Sequence, residues 1–350
     1  SCKESTIVTS NTSTIPISLL TKGMPKKFCA RFAITHFFNP VRFMRLLELV
    51  RGEFTRDDVI NTLDFFSETM LGKGVVSCSD TPGFLANRVG VFAIQCALHK
   101  AFEYKLSPTE ADAFFGRPLG LPKTGVFGLY DLIGIDLMAD VVKSLVSILP
   151  ENDAFHKYSS PIKFMTDMIA NGQTGNKNEK GFYKQVGDER KVIDLSNGNY
   201  VAHERLKTPL LEEAEKTGIP FIINDKSAYG LYTWDVIAET LCYAASLVPE
   251  VTDDLTQIDD AMKLGYNWVK GPFELLDEIG IEYFVDRLQA DGRDVPEFLL
   301  KGINNKFYIN SKSGLSSLSP SGNLKPIIRP DGVLRFSEVR QTLKAINSNE

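Results

Sequence analysis

Histidine, cysteine and long hydrophobic runs are all scarce in this sequence. It holds 4 histidines and 5 cysteines in 350 residues. The cysteines (Cys2, Cys29, Cys78, Cys96 and Cys242) form no CxxC pair and are odd in number. That excludes a disulfide scaffold and reads as free thiols in a reducing, cytoplasmic setting. Three of the histidines, His99, His156 and His203, show no metal-ligand spacing, so no metal site is expected. No apolar run approaches the roughly 18 residues of a membrane span, and no signal peptide is apparent. A formal net charge of −5 gives no reason to expect nucleic-acid or membrane binding. The one lysine-bearing glycine turn, "GKGV" at 72–75, lacks the remaining glycines of a phosphate loop and runs into a strand.

What is present is an ordinary globular composition, 43% hydrophobic and 24% charged, long enough for roughly two or three domains. "STIVTSNTS" (5–13) predicts a short strand entering a polar turn, and "FCARFAITHFF" (28–38) predicts a second strand. "TRDDVINTLDFFSETML" (55–71) predicts an amphipathic helix, and "GVVSCSD" (74–80) another strand. Strand, strand, helix, strand is the order of the later part of an α/β sheet. From Pro82 the pattern turns helical. Apolar residues at 85, 89, 92, 93, 96 and 97 predict a long buried helix over 81–105. Ser107-Pro108-Thr109-Glu110 has the cap, proline and third-position glutamate of a helix start. Residues 186–226 read as a linker, 227–310 as a second helical segment with "YGLYTW" (229–234) in its core, and 311–350 as a loop-rich tail. "GVFGLYDLIGID" (125–136) and "GPFELLDEIGIE" (271–282) share seven of twelve residues. Each follows an Asp-Ala pair, Asp112-Ala113 and Asp260-Ala261. This predicts an internally duplicated helical domain.

Three stretches could carry chemistry. "ITHFFNPVRFMRLLELV" (34–50) places His36 and Glu48 in an apolar and basic run. A histidine held by a carboxylate can take a proton from an alcohol and return it; the plain alternative is a partly buried histidine with an ordinary hydrogen bond. "SNTS" (10–13) could orient a carbonyl or carboxamide, or form a simple turn. "PGFLANR" (82–88) puts Asn87 and Arg88 near a helix start, where a buried amide needs a partner, either a substrate or a backbone group.

Taken together, "SNTS", "HFFNP" followed by "MRLLELV", "TPGFLANR", "GVFGLYDLIGID" and "KGFYK" (180–184) stand in the order and near the spacing of the 3-hydroxyacyl-CoA dehydrogenases of fatty-acid β-oxidation, which this chain resembles. The resemblance covers about residues 1–185 and, as the duplicate, 227–310. It implies an α/β plus all-α fold: a truncated Rossmann-type NAD-binding sheet (1–81), a helical domain like the C-terminal domain of 6-phosphogluconate dehydrogenase (82–185), and its duplicate. It further implies that His36 is the general base oriented by Glu48, that Asn87 and Ser13 touch the substrate oxygen, and that Asn39 supports the site. Asn11, with Ser13, would lie at the nicotinamide of NAD, and the substrate would be an acyl-CoA.

One departure is large. The family opens with a strand, a GxGxxG turn and a helix, and this sequence has no GxGxxG. The resemblance therefore implies a middle piece of a larger bifunctional β-oxidation protein. A separate chain would carry the nucleotide-binding half or an enoyl-CoA hydratase unit. Two readings remain open at this level: a dehydrogenase completed by that half, or a non-catalytic remnant or assembly subunit, possible as a homodimer. The duplicate is also expected to pack on the first helical copy, as partners do in simpler, dimeric family members.

Overall fold

The computed structural model describes residues 3, 5–302, 306–311 and 314–328. Four strands, β1 (Val8–Ser10), β2 (Phe32–Phe37), β3 (Leu46–Arg51) and β4 (Gly74–Cys78), form one sheet in that order. Two single-turn helices, α1 (Ile17–Leu20) and α2 (Lys26–Cys29), connect β1 to β2, and α3 (Asp57–Phe65) connects β3 to β4. The strand expected from residue 28 therefore starts at Phe32, because the residues after Pro25 make a helical turn. The helix expected over 55–71 is present, with Phe66–Met70 in the wider π geometry.

β3 carries no strand expectation from sequence, since "LLELVR" is a short apolar run that periodicity cannot assign. Its place is set by its neighbours. β1 pairs with β2, and β3 with β4, in parallel, whereas β2 and β3 are antiparallel. Parallel strands need a crossover of roughly a dozen residues or more, and residues 38–45 are too few. The chain must double back, and the register that results sets His36 directly opposite Glu48. Both strands are buried nearly end to end, which suits their continuous apolar sequences.

The helical region begins with α4 (Ala86–Glu103), α5 (Pro108–Phe114), α6 (Gly125–Ile133), α7 (Ile135–Ile148) and α8 (Lys163–Ala170). The predicted start of α5 is a complete capping box between Ser107 and Glu110. The segment read as a linker is structured. β5 (Tyr183–Val186), at the close of the preceding helical segment, forms an antiparallel sheet with β6 (Glu189–Ile193) and β7 (Tyr200–Ala202), and α9 (Pro209–Thr217) and α10 (Ile219–Asn224) follow. The second copy then runs α11 (Ala228–Ser246), α12 (Leu255–Gly265), α13 (Pro272–Ile279) and α14 (Ile281–Ala290). The region read as a loop-rich tail supplies part of a further antiparallel sheet. It joins β8 (Tyr308–Ser311) to β9 (Gly314–Leu318) and β10 (Leu324–Pro326); residues 329–350 lie outside the described residues.

The duplication is written in hydrogen bonds. Asp112 accepts from Phe127 N (2.7 Å), Gly128 N (3.0 Å) and the Tyr183 hydroxyl (2.8 Å). Asp259 accepts from Phe273 N (2.9 Å), Glu274 N (3.1 Å) and the Tyr308 hydroxyl (2.7 Å). Asp131 accepts from Phe182 N and Tyr183 N, and Asp277 from Phe307 N and Tyr308 N. The counterpart of Asp112 is thus Asp259, not the Asp260 of the sequence pairing. A Cβ on Gly125 would lie 2.3 Å from Asp112, and one on Gly271 2.4 Å from Asp259, so both copies keep a glycine where the helix meets the carboxylate.

The two copies pack on each other through α4 and α11. Arg88 on α4 is fully buried. It pairs with Asp153, with Glu250 at 2.7 Å and with the Tyr243 hydroxyl at 3.2 Å. Phe92 stacks on Tyr243 with ring centroids 4.2 Å apart. With α11, α12, α6 and α5 all packed against it, α4 is buried almost all round rather than along one stripe.

Candidate active site

His36 sits near the end of β2, and Glu48 in the middle of β3. His36 is 6% exposed and Glu48 is 0% exposed. His36 Nδ1 meets Glu48 Oε2 at 2.6 Å, within the range of a charge-assisted hydrogen bond. The other carboxylate oxygen, Oε1, accepts from Leu85 N at 3.0 Å and Ala86 N at 2.7 Å. These are two of the orphan N–H groups that open α4. They point at Glu48 because Gly83 (φ 73°) and Phe84 (φ 51°) both take the left-handed conformation just before the helix. A carboxylate at a helix N-terminus is also favoured by the helix dipole. Glu48 is therefore both the orienting partner of His36 and the cap of a helix in the next domain. Its charge acts on a third neighbour: burial, and then Glu48, push the Cys78 thiol well up, so Cys78 stays a neutral donor to Oε1 at 3.7 Å.

With Nδ1 committed, Nε2 is the nitrogen of His36 left for a ligand. Phe38 and Phe84 flank the imidazole, with centroids 4.6 and 6.0 Å away. Asn87, one residue into α4, donates from Nδ2 to the backbone carbonyl of Ser13 at 3.3 Å. Asn11 Oδ1 accepts from Phe37 N at 2.9 Å, which ties the turn after β1 to the strand bearing His36. The structure thus gathers His36, Glu48, Asn87, Ser13 and Asn11 at one end of the sheet. Asn39, just after β2, is exposed and has no hydrogen bond to these residues among the described ones. Sequence reasoning missed Tyr266, whose hydroxyl donates to Asn87 Oδ1 at 3.2 Å. No local pattern marks it, because it lies in the second copy, just after α12. Two clefts, of about 880 and 550 Å³, are lined by neither His36 nor Asn87.

Asn11 and Ser13 are exposed polar groups at the carboxyl end of β1, where ligands of open α/β sheets bind. Their amide and hydroxyl suit the carboxamide end of a nicotinamide. Among the described residues no group of three His, Cys, Asp or Glu could hold a metal ion, and no helix is long and apolar enough to cross a membrane.

Residues 1–81 match the family model described as "3-hydroxyacyl-CoA dehydrogenase, NAD binding domain", and residues 83–185 match "3-hydroxyacyl-CoA dehydrogenase, C-terminal domain". A Rickettsia prowazekii protein named as a fatty acid oxidation complex trifunctional enzyme is 41% identical over 280 residues, 78% of this chain and 38% of the relative. The Bacillus subtilis "Probable 3-hydroxyacyl-CoA dehydrogenase" is 35% identical over 316 residues, 88% of this chain and 40% of the relative. The chain thus spans about two fifths of the length of these relatives. A crystal structure of 3-hydroxybutyryl-CoA dehydrogenase from Escherichia coli shares the fold, with a TM-score of 0.62 at 21% identity over 86% of this chain and 75% of that one.

Proposed function

Since the chain belongs to the 3-hydroxyacyl-CoA dehydrogenase family, we propose that it carries the acid–base half of that reaction, the reversible NAD-dependent oxidation of a 3-hydroxyacyl-CoA to a 3-oxoacyl-CoA in fatty-acid β-oxidation. The observation that supports this best is the His36–Glu48 contact of 2.6 Å, buried and braced by two backbone N–H groups. His36 Nε2 takes the proton of the 3-hydroxyl as C3 loses its hydride. Glu48 holds Nδ1–H and stabilises the imidazolium that forms. Asn87 donates from Nδ2 to the same substrate oxygen, opposing the charge that develops there in the reverse direction. Asn11 and Ser13 hold the nicotinamide end, with Ser13 also beside the substrate oxygen, and Asn39 supports the site from the exposed turn. NAD, when bound, supplies the hydride acceptor. Its pyrophosphate belongs on a glycine-rich turn, which these residues do not contain.

The trifunctional relative's name points to further catalytic units. We place an enoyl-CoA hydratase unit next to this one, in the same protein or on a partner chain. The buried free thiols Cys29, Cys78 and Cys96 suit a reducing compartment, the cytoplasm.

The test is NADH oxidation with acetoacetyl-CoA by the purified chain, beside His36→Ala. Turnover that falls by roughly 10²–10⁴-fold in the variant supports the assignment. Equal turnover in both removes His36 from the chemistry. A folded chain with no turnover favours the non-catalytic reading instead.

A further inference from the structure

The carboxamide of Asn87 is held from both ends. The Ser13 carbonyl can only accept, so the group that faces it at 3.3 Å is Nδ2. The Tyr266 hydroxyl then faces Oδ1, at 3.2 Å, and donates to it. Nδ2 has two hydrogens, and one remains for a ligand. Tyr266 is seated by shape. Its ring lies across Gly90 of α4, where a Cβ would come within 2.1 Å of the ring carbon that bears the hydroxyl. Its edge meets Phe38 at 6.0 Å, and Phe38 in turn flanks His36. Burial, and then the nearby Glu48 carboxylate, push the Tyr266 phenol up, so it remains a neutral donor.

We infer that Tyr266 of the second helical copy is a positioning residue of the dehydrogenase site: it fixes the Asn87 amide so that N–H, not C=O, faces the substrate oxygen. This rests on the role proposed above for Asn87. Without the phenol, Oδ1 loses its donor, and only the 3.3 Å contact with the Ser13 carbonyl still opposes turning the carboxamide over. Oδ1 would then face the Ser13 carbonyl or the substrate oxygen, an acceptor against an acceptor in either case. The inference gives the duplicate a task beyond packing, because a site made from residues 1–185 alone would lack this donor.

The test uses Tyr266→Phe, Asn87→Ala and the double variant in the full chain. Acetoacetyl-CoA binding is measured by calorimetry, and the Asn87 side-chain amide is followed by NMR with nitrogen-15 asparagine. Tyr266→Phe should weaken binding roughly tenfold, the order of one hydrogen bond, and should have no further effect once Asn87 is alanine. It should also shift both side-chain amide protons of Asn87 without any ligand. Binding unchanged in Tyr266→Phe, or weakened equally in the Asn87→Ala background, would overturn the inference, as would an unmoved Asn87 amide. A folded wild-type chain that does not bind acetoacetyl-CoA would instead overturn the proposed function, while the amide signal still reads the Tyr266 contact. Gly90→Ala, which crowds the ring, should reproduce the amide shift by a second route.

Discussion

Replacing Glu48 by glutamine keeps the shape of the side chain and removes its charge. The surroundings then decide which way the new amide points. Oε1 receives Leu85 N, Ala86 N and the Cys78 thiol, all donors, at 3.0, 2.7 and 3.7 Å. The glutamine oxygen must take that position, because an NH₂ group there would leave two buried N–H groups unpaired at about 1–3 kcal/mol each. The NH₂ group therefore faces His36 Nδ1. It can only donate, so Nδ1 must accept, and the imidazole proton moves to Nε2. That is the nitrogen required to take the substrate proton. Glu48→Gln should thus lower turnover by roughly 10²–10⁴-fold, the range of general-base catalysis. It should cost about 1 kcal/mol of stability or more, since charge-assisted hydrogen bonds give way to neutral ones roughly half as strong. Nitrogen-15 spectra of His36 read the tautomer directly, without cofactor or substrate. A variant that keeps the proton on Nδ1, with stability unchanged in urea, would refute the reasoning.

Two further outcomes follow from the same structure. Arg88→Met should destabilise the chain by about 3–5 kcal/mol, since the buried Asp153 loses its counter-charge and keeps only the Tyr243 hydroxyl and Phe155 N as donors; a loss below about 1 kcal/mol in urea titration would show that water reaches Asp153. Burial pushes Asp112 up to about 7 and Asp131 and Asp277 to about 6, against the pull of their hydrogen bonds. The folded state therefore holds these protons more tightly than the unfolded chain, and stability should rise as pH falls from about 8 to about 5.5. Calorimetric Tm values that are flat or falling over that window would contradict it.

What could be read from sequence was local or repeated. The start of α5 was legible because its cap, proline and glutamate lie within Ser107–Glu110. The duplicate was legible from seven shared residues in twelve, but its register was not. Asp112 reaches Phe127 across 15 positions and Asp259 reaches Phe273 across 14, so the Asp-Ala pairs do not align. β6 and β7 fall in 186–226, read as linker because that stretch is polar and mixed. Their order comes from pairing with one another, which no single strand announces. His36 and Glu48 were legible as residue types able to do acid–base chemistry, while their contact depends on a strand, β3, that the sequence does not mark. Tyr266 was illegible for a stronger reason: it reaches Asn87 from 179 positions away.

The dual role of Glu48 ties the chemistry to the docking of domains. His36 and Glu48 are register partners within the sheet, so their pairing alone needs only β2 and β3. Yet a carboxylate with no exposed surface is costly unless its remaining oxygen is also satisfied. Its backbone donors, Leu85 N and Ala86 N, lie at the start of α4, which opens the helical region, and the Cys78 thiol of β4 adds a weaker third. A sheet without α4 would leave Oε1 of the buried Glu48 with only the weak Cys78 thiol donor at 3.7 Å. The same helix carries Asn87, so the packing of α4 on the sheet brings together the three residues to which the proposed reaction assigns the base, its orienting charge and the donor to the substrate oxygen. The Arg88 cluster, two residues on from Ala86, ties the start of α4 to the second copy and so stabilises the same packing.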